Sequence, residues 1–216
     1  MIAVELLDKL GSDLTVVNAA RVSFAKQSDS FNESDERLIR YLAKHRHWTP
    51  FSQIQVQLRI AAPIFVARQA FKSSVGTSRN EISRRYVDTE PAYYTPTEWR
   101  SRPTGEIKQG SGEPIEVQKQ GTCTGIYRFA IDAAQEAYNN LLSFGVAPEQ
   151  ARMVLPQAMM TEWIETGSLA YWARFYGLRS SPDAQKEIQD LAEKIDAVIA
   201  PLFPISWSAL CAFAKT

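Results

Sequence analysis

Between Gln53 and Ile60 the chain alternates without a break: Ile54, Val56, Leu58 and Ile60 are apolar, and Gln53, Gln55, Gln57 and Arg59 are polar. A period of two predicts a strand with one face buried and one in water, because successive side chains leave a pleated strand on opposite sides. Such a strand is not stable alone; it requires neighbours in a sheet and a layer over its apolar face. Pro63 stops the alternation, and residues 64–72 resume at helical period with proline at the start, where its missing amide hydrogen is no loss.

The rest of the chain supplies mainly helices. A short apolar strand at the start leads to a turn at Gly11-Ser12-Asp13, with Asp13 placed to cap a helix over 14–21. Asn32-Glu33-Ser34-Asp35 is a polar helix start before Leu38, Ile39, Tyr41 and Leu42, which are expected on one face, and His45 and His47 end that helix. Residues 91–122 are rich in proline and glycine and predict a long surface loop. An amphipathic helix is expected over 125–142, with Phe129, Ala130, Ala133, Ala134, Ala137 and Leu141 inward and Gly145 closing it. Further helices are expected after Pro148, over 169–178, over 183–198 and in the tail at 207–213. The fold class is therefore α+β, one domain over 1–216, with a small, mostly antiparallel sheet surrounded by helices.

Charge narrows the partners. Lys and Arg number 24 and so do Asp and Glu, so no global field favours nucleic acid or an anionic membrane. No apolar run approaches the ~18 residues that span a bilayer. Cys123 and Cys211 have no metal-type spacing and follow no charged-then-apolar leader, which predicts free thiols in a reducing, cytoplasmic setting.

Against that balanced background one stretch stands out. From Arg68 to Tyr86 the cations Arg68, Lys72, Arg79, Arg84 and Arg85 lie among serines, a glycine and the carboxylate Glu81. Guanidiniums bind phosphate through paired hydrogen bonds, and serine and glycine let backbone amides approach it, so this composition predicts a phosphate site. Ser83 has no neighbouring base and is better read as a phosphate donor than as a nucleophile. His45 and His47 lack the partners of a metal set.

The order Arg68-Gln69, Lys72, Asn80-Glu81, Ser83, Arg85-Tyr86 resembles the signature of the flavin-dependent thymidylate synthases, RQxxRHRxxSxNExSxRY. Arg21-Val22-Ser23-Phe24, His47-Trp48-Thr49-Pro50-Phe51, Ala151-Arg152-Met153-Val154-Leu155-Pro156, Thr161-Glu162-Trp163, Gly177-Leu178-Arg179 and Ala184-Gln185-Lys186-Glu187-Ile188 follow in family order. The resemblance implies methylation of dUMP without a cysteine nucleophile, with FAD as cofactor and methylenetetrahydrofolate and NADPH as co-substrates. It implies catalysis by Arg179, which would stabilise charge on the uracil ring. Gln69, Lys72, Glu81, Ser83, Arg84, Arg85 and Arg152 would hold the nucleotide together with Arg179. Thr49, Lys72, Ser73, Ser74, Glu81, Ser168 and Arg174 would contact FAD. A homotetramer with shared sites is also implied.

The departures fall on the flavin side. Lys72-Ser73-Ser74 replaces Arg-His-Arg, one extra residue precedes Asn80, and Ser52, Ser168, Ala170 and Arg174 stand where the family pattern often differs. They suggest a divergent branch, viral sources and a host cytoplasm included. Two alternatives stay open at this point: another flavin- and folate-dependent change, such as hydroxymethylation of a pyrimidine nucleotide, or a nucleotide-binding relic without flavin.

Overall fold

The strands are β1 (Ala3–Leu10), β2 (Gln55–Pro63), β3 (Thr77–Glu81) and β4 (Met160–Ser168). The computed structural model describes residues 1–103 and 110–214. All pairings are antiparallel in the order β1-β2-β4-β3, so the alternating segment lies inside the sheet. Val56, Leu58 and Ile60 are sealed from water, each burial stabilising by about 1.5–3 kcal/mol. Opposite them on β4 stand Gly167, Glu165 and Trp163, so a carboxylate faces this apolar row. The outer face is polar. Gln57 Nε2 donates to Thr166 Oγ1 at 2.9 Å, and Arg59 pairs with Glu162 at 2.9 Å and Glu5 at 3.5 Å.

β4 is a strand the sequence did not announce. Its inward residues are Thr161, Trp163, Glu165 and Gly167, two of them polar and one without a side chain, so burial alternates while hydrophobicity does not.

The helices are α1 (Asp13–Arg21), α2 (Glu33–Lys44), α3 (Ile64–Ala70), α4 (Val117–Ser143), α5 (Pro148–Ala151), α6 (Leu169–Arg179), α7 (Lys186–Ile199) and α8 (Pro204–Ala214). α7, α3 and α6 pack on β1, β2 and β4, and α8 packs on α2 and α6. Ile39, Phe51, Trp172, Phe175, Leu191 and Phe203 fill the space between. The architecture is the α+β arrangement expected from the sequence.

Three local expectations change. Asp13 is the first residue of α1 and caps a different helix: its carboxylate accepts from Ile205 N at 3.1 Å and Ser206 N at 2.9 Å, satisfying free amides at the start of α8. Tyr41 does not share the buried face of Ile39 and Leu42, but is exposed beside His45, with ring centroids 4.3 Å apart. α4 begins at Val117, inside the expected loop, and its inward face is rotated from the expected one: Ala134, Ala137 and Leu141 are half-buried as expected, but the face centres on Tyr127, Ile131 and Tyr138. Phe129 is 77% exposed, Ala130 and Ala133 are exposed, and Tyr138 is the buried residue. Helical periodicity finds an apolar stripe but not its neighbour, and α4 packs on the short α5, the turn after it and the segment from Tyr93 to Trp99. Gly145 closes α4 as expected, at φ +81.

Candidate functional site

β3 carries the basic stretch out of the sheet, and its end opens a cleft of about 790 Å³. α3 lends Arg68 to one wall, Glu81, Ser83, Arg84 and Arg85 follow from β3, and the turn after α5 adds Arg152. Arg85 Nε lies 3.4 Å from Ser83 Oγ, with its guanidinium 5.1 Å from the Tyr86 ring centre. Arg152 Nε donates to the Glu149 carbonyl at 3.3 Å, and Arg84 donates to the carbonyl of Thr89. Glu81 Oε1 accepts from Thr161 Oγ1 at 2.6 Å. Among the described residues none of these four arginines forms an ion pair, although Glu81 and Glu149 line the same cleft. Cations gathered without counter-charges suit a dianion such as a phosphate monoester.

Beside this cleft the ends of α3 and α6 meet. Arg179, last in α6, donates from Nη2 to the Gln69 carbonyl at 2.8 Å. Its Nε is buried without a hydrogen-bond partner, a donor left for something else to satisfy. Burial lowers the pKa of Arg179, and the Tyr171 phenol opposes that shift.

Arg79 behaves differently. It turns under the loop that follows α3 and donates to the carbonyls of Phe71, at 3.1 Å, and of Ser73. It also reaches Glu165 Oε1 at 2.8 Å and the Tyr171 hydroxyl at 3.1 Å. Glu165 is buried and accepts as well from Thr77 at 2.8 Å, Trp163 Nε1 at 2.8 Å and Tyr171 at 2.5 Å. Burial pulls Arg79 down, but the bond to Glu165 and its charge outweigh that and the net shift is upward. Burial first, then Glu165, pushes the Tyr171 phenol up.

Tyr171 also lines a second cleft, of about 450 Å³, between the end of α2, the Val75-Gly76 turn, the start of α6 and α8. Its walls include Trp48, Phe51, Val75 and Phe213, and its polar groups include Arg46, Ser52, Ser168 and Arg174. Arg174 Nη2 donates to the Val75 carbonyl at 2.7 Å, and Ser168 Oγ accepts from Tyr171 N at 3.1 Å, capping α6. Gly76 makes the turn at φ +87, a backbone that side chains resist. A hollow of about 1270 Å³ adjoins and shares Leu42, Arg46, His47 and Trp48; Thr49 lines that one. Aromatic walls, two arginines and a helix N-terminus are the donor set a flavin dinucleotide requires for its ring and diphosphate, so the residues present fit FAD.

The structure thus brings Glu81, Ser83, Arg84, Arg85 and Arg152 to one cleft and Ser168 and Arg174 to another, with Thr49 next door. Gln69 and Arg179 sit together but line neither cleft, and Lys72, Ser73 and Ser74 lie on the turn between the two. Arg79, which the sequence grouped with the phosphate cations, instead holds that turn together with Glu165, which sequence reasoning left out. No local pattern signals them, because Glu165 lies in a strand whose burial alternates while its hydrophobicity does not. His45 and His47 lie with ring centroids 6.3 Å apart, and no metal-type cluster occurs among the described residues.

Residues 5–205 match the family model described as thymidylate synthase complementing protein. The chain is 36% identical over 206 residues to the flavin-dependent thymidylate synthase of Thermus thermophilus, covering 95% of this chain and 74% of that one. It is 36% identical over 209 residues to that of Thermosipho africanus, covering 97% and 90%. Among solved structures it superposes on the UMP/dUMP methylase PolB from Streptomyces cacaoi bound with 5-Br dUMP. The TM-score is 0.88 at 32% identity, over 100% of this chain and 97% of that one.

Proposed function

The chain belongs to the flavin-dependent thymidylate synthase family, and on that premise we propose which of its residues do the work. The protein is an FAD-dependent methyltransferase that makes dTMP from dUMP, with methylenetetrahydrofolate as one-carbon donor and NADPH as reductant. When bound, reduced FAD supplies the electrons that turn the transferred carbon into a methyl group. Arg85, Arg152 and Ser83 hold the nucleotide phosphate, with Arg84 and Lys72 adding positive charge at the rim. Glu81, steadied by Thr161, has its second oxygen free for a sugar hydroxyl. Gln69 and Arg179 face the base, and the unpartnered Nε of Arg179 stabilises negative charge that develops on the pyrimidine ring. Ser168, Arg174 and Thr49 hold FAD, with Ser73 and Ser74 serving from the turn.

The observation that carries this reading is the cleft of four arginines without an ion pair. Calorimetry of dUMP binding to Arg85→Ala tests it: the affinity falls by about 2 to 5 kcal/mol if the charge is buried against the phosphate. Unchanged affinity removes the phosphate from this cleft. A second reading, that UMP is also accepted, is favoured by the solved relative described as a UMP/dUMP methylase. The same titration with UMP decides it.

A homotetramer with shared sites is supported by α4, where Ile126 is 67% and Phe129 77% exposed three residues apart on one face, apolar surface that costs free energy in water. Light scattering tests it, and a fully active monomer rejects it. No helix among the described residues is long and apolar enough to cross a membrane, and a cytoplasmic place for one functional unit over 1–216 is the accompanying proposal.

A further inference from the structure

Two helices end in the same turn with different residues at its centre. After α4 the amide of Gly145 donates to the Leu142 carbonyl at 2.9 Å and that of Val146 to the Leu141 carbonyl at 3.0 Å, the paired bonds that close a helix through one left-handed residue. After α2 the amide of Arg46 donates to the Ala43 carbonyl at 3.0 Å and that of His47 to the Leu42 carbonyl at 2.9 Å. The left-handed residue of the first turn is Gly145, at φ +81; that of the second is Arg46, at φ +57. A Cβ resists this backbone, so an arginine there costs stability that glycine would not.

A cation does favour a helix C-terminus, but Lys44 already supplies one in the last turn of α2. The Arg46 side chain forms no ion pair or hydrogen bond among the described residues. It lies where the cleft assigned to FAD meets the larger hollow, and lines both. The other guanidinium of that cleft is Arg174, with one nitrogen on the Val75 carbonyl. Lys72, Ser73 and Ser74, which stand where the family signature has Arg-His-Arg, line neither hollow. The turn after α3 therefore brings no charge to this cleft, and Arg46 with Arg174 brings two. A dinucleotide diphosphate carries two negative charges, which a pair of guanidiniums matches.

We infer, on the proposal that this cleft holds FAD, that Arg46 binds the cofactor's diphosphate and stands in with Arg174 for the cations missing from the turn after α3. An arginine occupies a glycine's position because its contact with the ligand offsets the cost of the left-handed backbone.

The test is fluorescence titration of the full chain, freed of flavin, with FAD at low and high salt. Arg46→Met keeps much of the side-chain stem and loses the charge. Its FAD affinity is expected to fall about tenfold, the worth of one charged hydrogen bond, and to depend less on salt. Arg46→Lys keeps the charge without the planar fork and retains part of the affinity. Arg46→Gly loses as much FAD affinity as Arg46→Met while its denaturant midpoint holds or rises, since glycine suits the turn. A purely structural arginine would show the reverse, a lower midpoint with FAD affinity intact. Unchanged FAD affinity in Arg46→Met, with Arg174→Ala still weakening FAD, overturns the inference and leaves FAD in the cleft. Unchanged affinity in both variants removes FAD from the cleft itself. Calorimetry with tetrahydrofolate on FAD-loaded Arg46→Met covers the adjoining hollow: a fall there with FAD affinity intact also overturns the inference.

Discussion

The two clefts on either side of the turn after α3 use arginine in opposite ways. Around Arg84, Arg85 and Arg152 the guanidiniums are open to water and unmatched by acids, while the second cleft is mostly aromatic wall with Arg174 fastened to a backbone carbonyl. Under the turn, both Nη groups of Arg79 are spent on Glu165, Tyr171 and two carbonyls, while its Nε is buried without a hydrogen-bond partner. Unmatched charge marks where a charged ligand goes, and matched charge marks what holds the site in place. Removing either kind has different consequences.

The largest effect expected is on folding. Arg79→Met strands the buried Glu165 carboxylate and destabilises by about 3–5 kcal/mol, while Arg85→Met leaves the denaturant midpoint almost unchanged. Adding Glu165→Gln to Arg79→Met restores part of the loss. Equal midpoints for the two single variants would break the contrast.

Next comes rate. Arg179→Ala slows single-turnover flavin reoxidation in the presence of dUMP and methylenetetrahydrofolate by about 10² to 10³, with FAD still bound. Arg179→Lys keeps the charge but not the planar fork and retains part of the activity. A parent rate in Arg179→Ala makes the residue structural.

A smaller effect sharpens the second cleft. Arg174→Ala weakens FAD binding by about 1 kcal/mol, one hydrogen bond's worth, and leaves dUMP affinity alone. Fluorescence titration of FAD and calorimetry of dUMP read the two separately, and a loss of dUMP affinity alone reverses the division between clefts.

The smallest is a pH effect. Burial raises the carboxyl of Glu187, but the bonds from Arg100 Nη2 at 2.6 Å and Gln185 Nε2 at 2.8 Å outweigh this. It sits below its ordinary value of 4.5, so the folded state binds its proton less readily than the unfolded one. Its stabilisation is complete above that value and is lost as pH falls through the folded pKa. Urea unfolding from pH 7 down to about pH 3 shows a steeper acid loss in the parent than in Glu187→Gln. Parallel curves remove the contribution.

Much of the site was legible because ligand charge needs protein charge, and protein charge is written in the chain: Arg68, Glu81, Ser83, Arg84 and Arg85 fall within one stretch of 18 residues and meet in one cleft. β2 was legible for a similar reason, since its burial and its hydrophobicity coincide. β4 was hidden because its inner face holds Thr161 and Glu165, whose burial depends on partners distant in sequence, Glu81 for one and Arg79 for the other. α4 showed its stripe but not its orientation, which requires knowing what lies on each side.

By itself the sequence determined the α+β class, the cationic character of the stretch after α3 and the membership of a family, because each is a property of local pattern or of residue order. Tertiary structure decided which cations stand without an acidic partner and which are supports, and that Asp13 caps α8 instead of its own helix. Those outcomes depend on hydrogen bonds between groups far apart along the chain, and a donor's partner is settled only when folding brings the acceptor within about 3 Å.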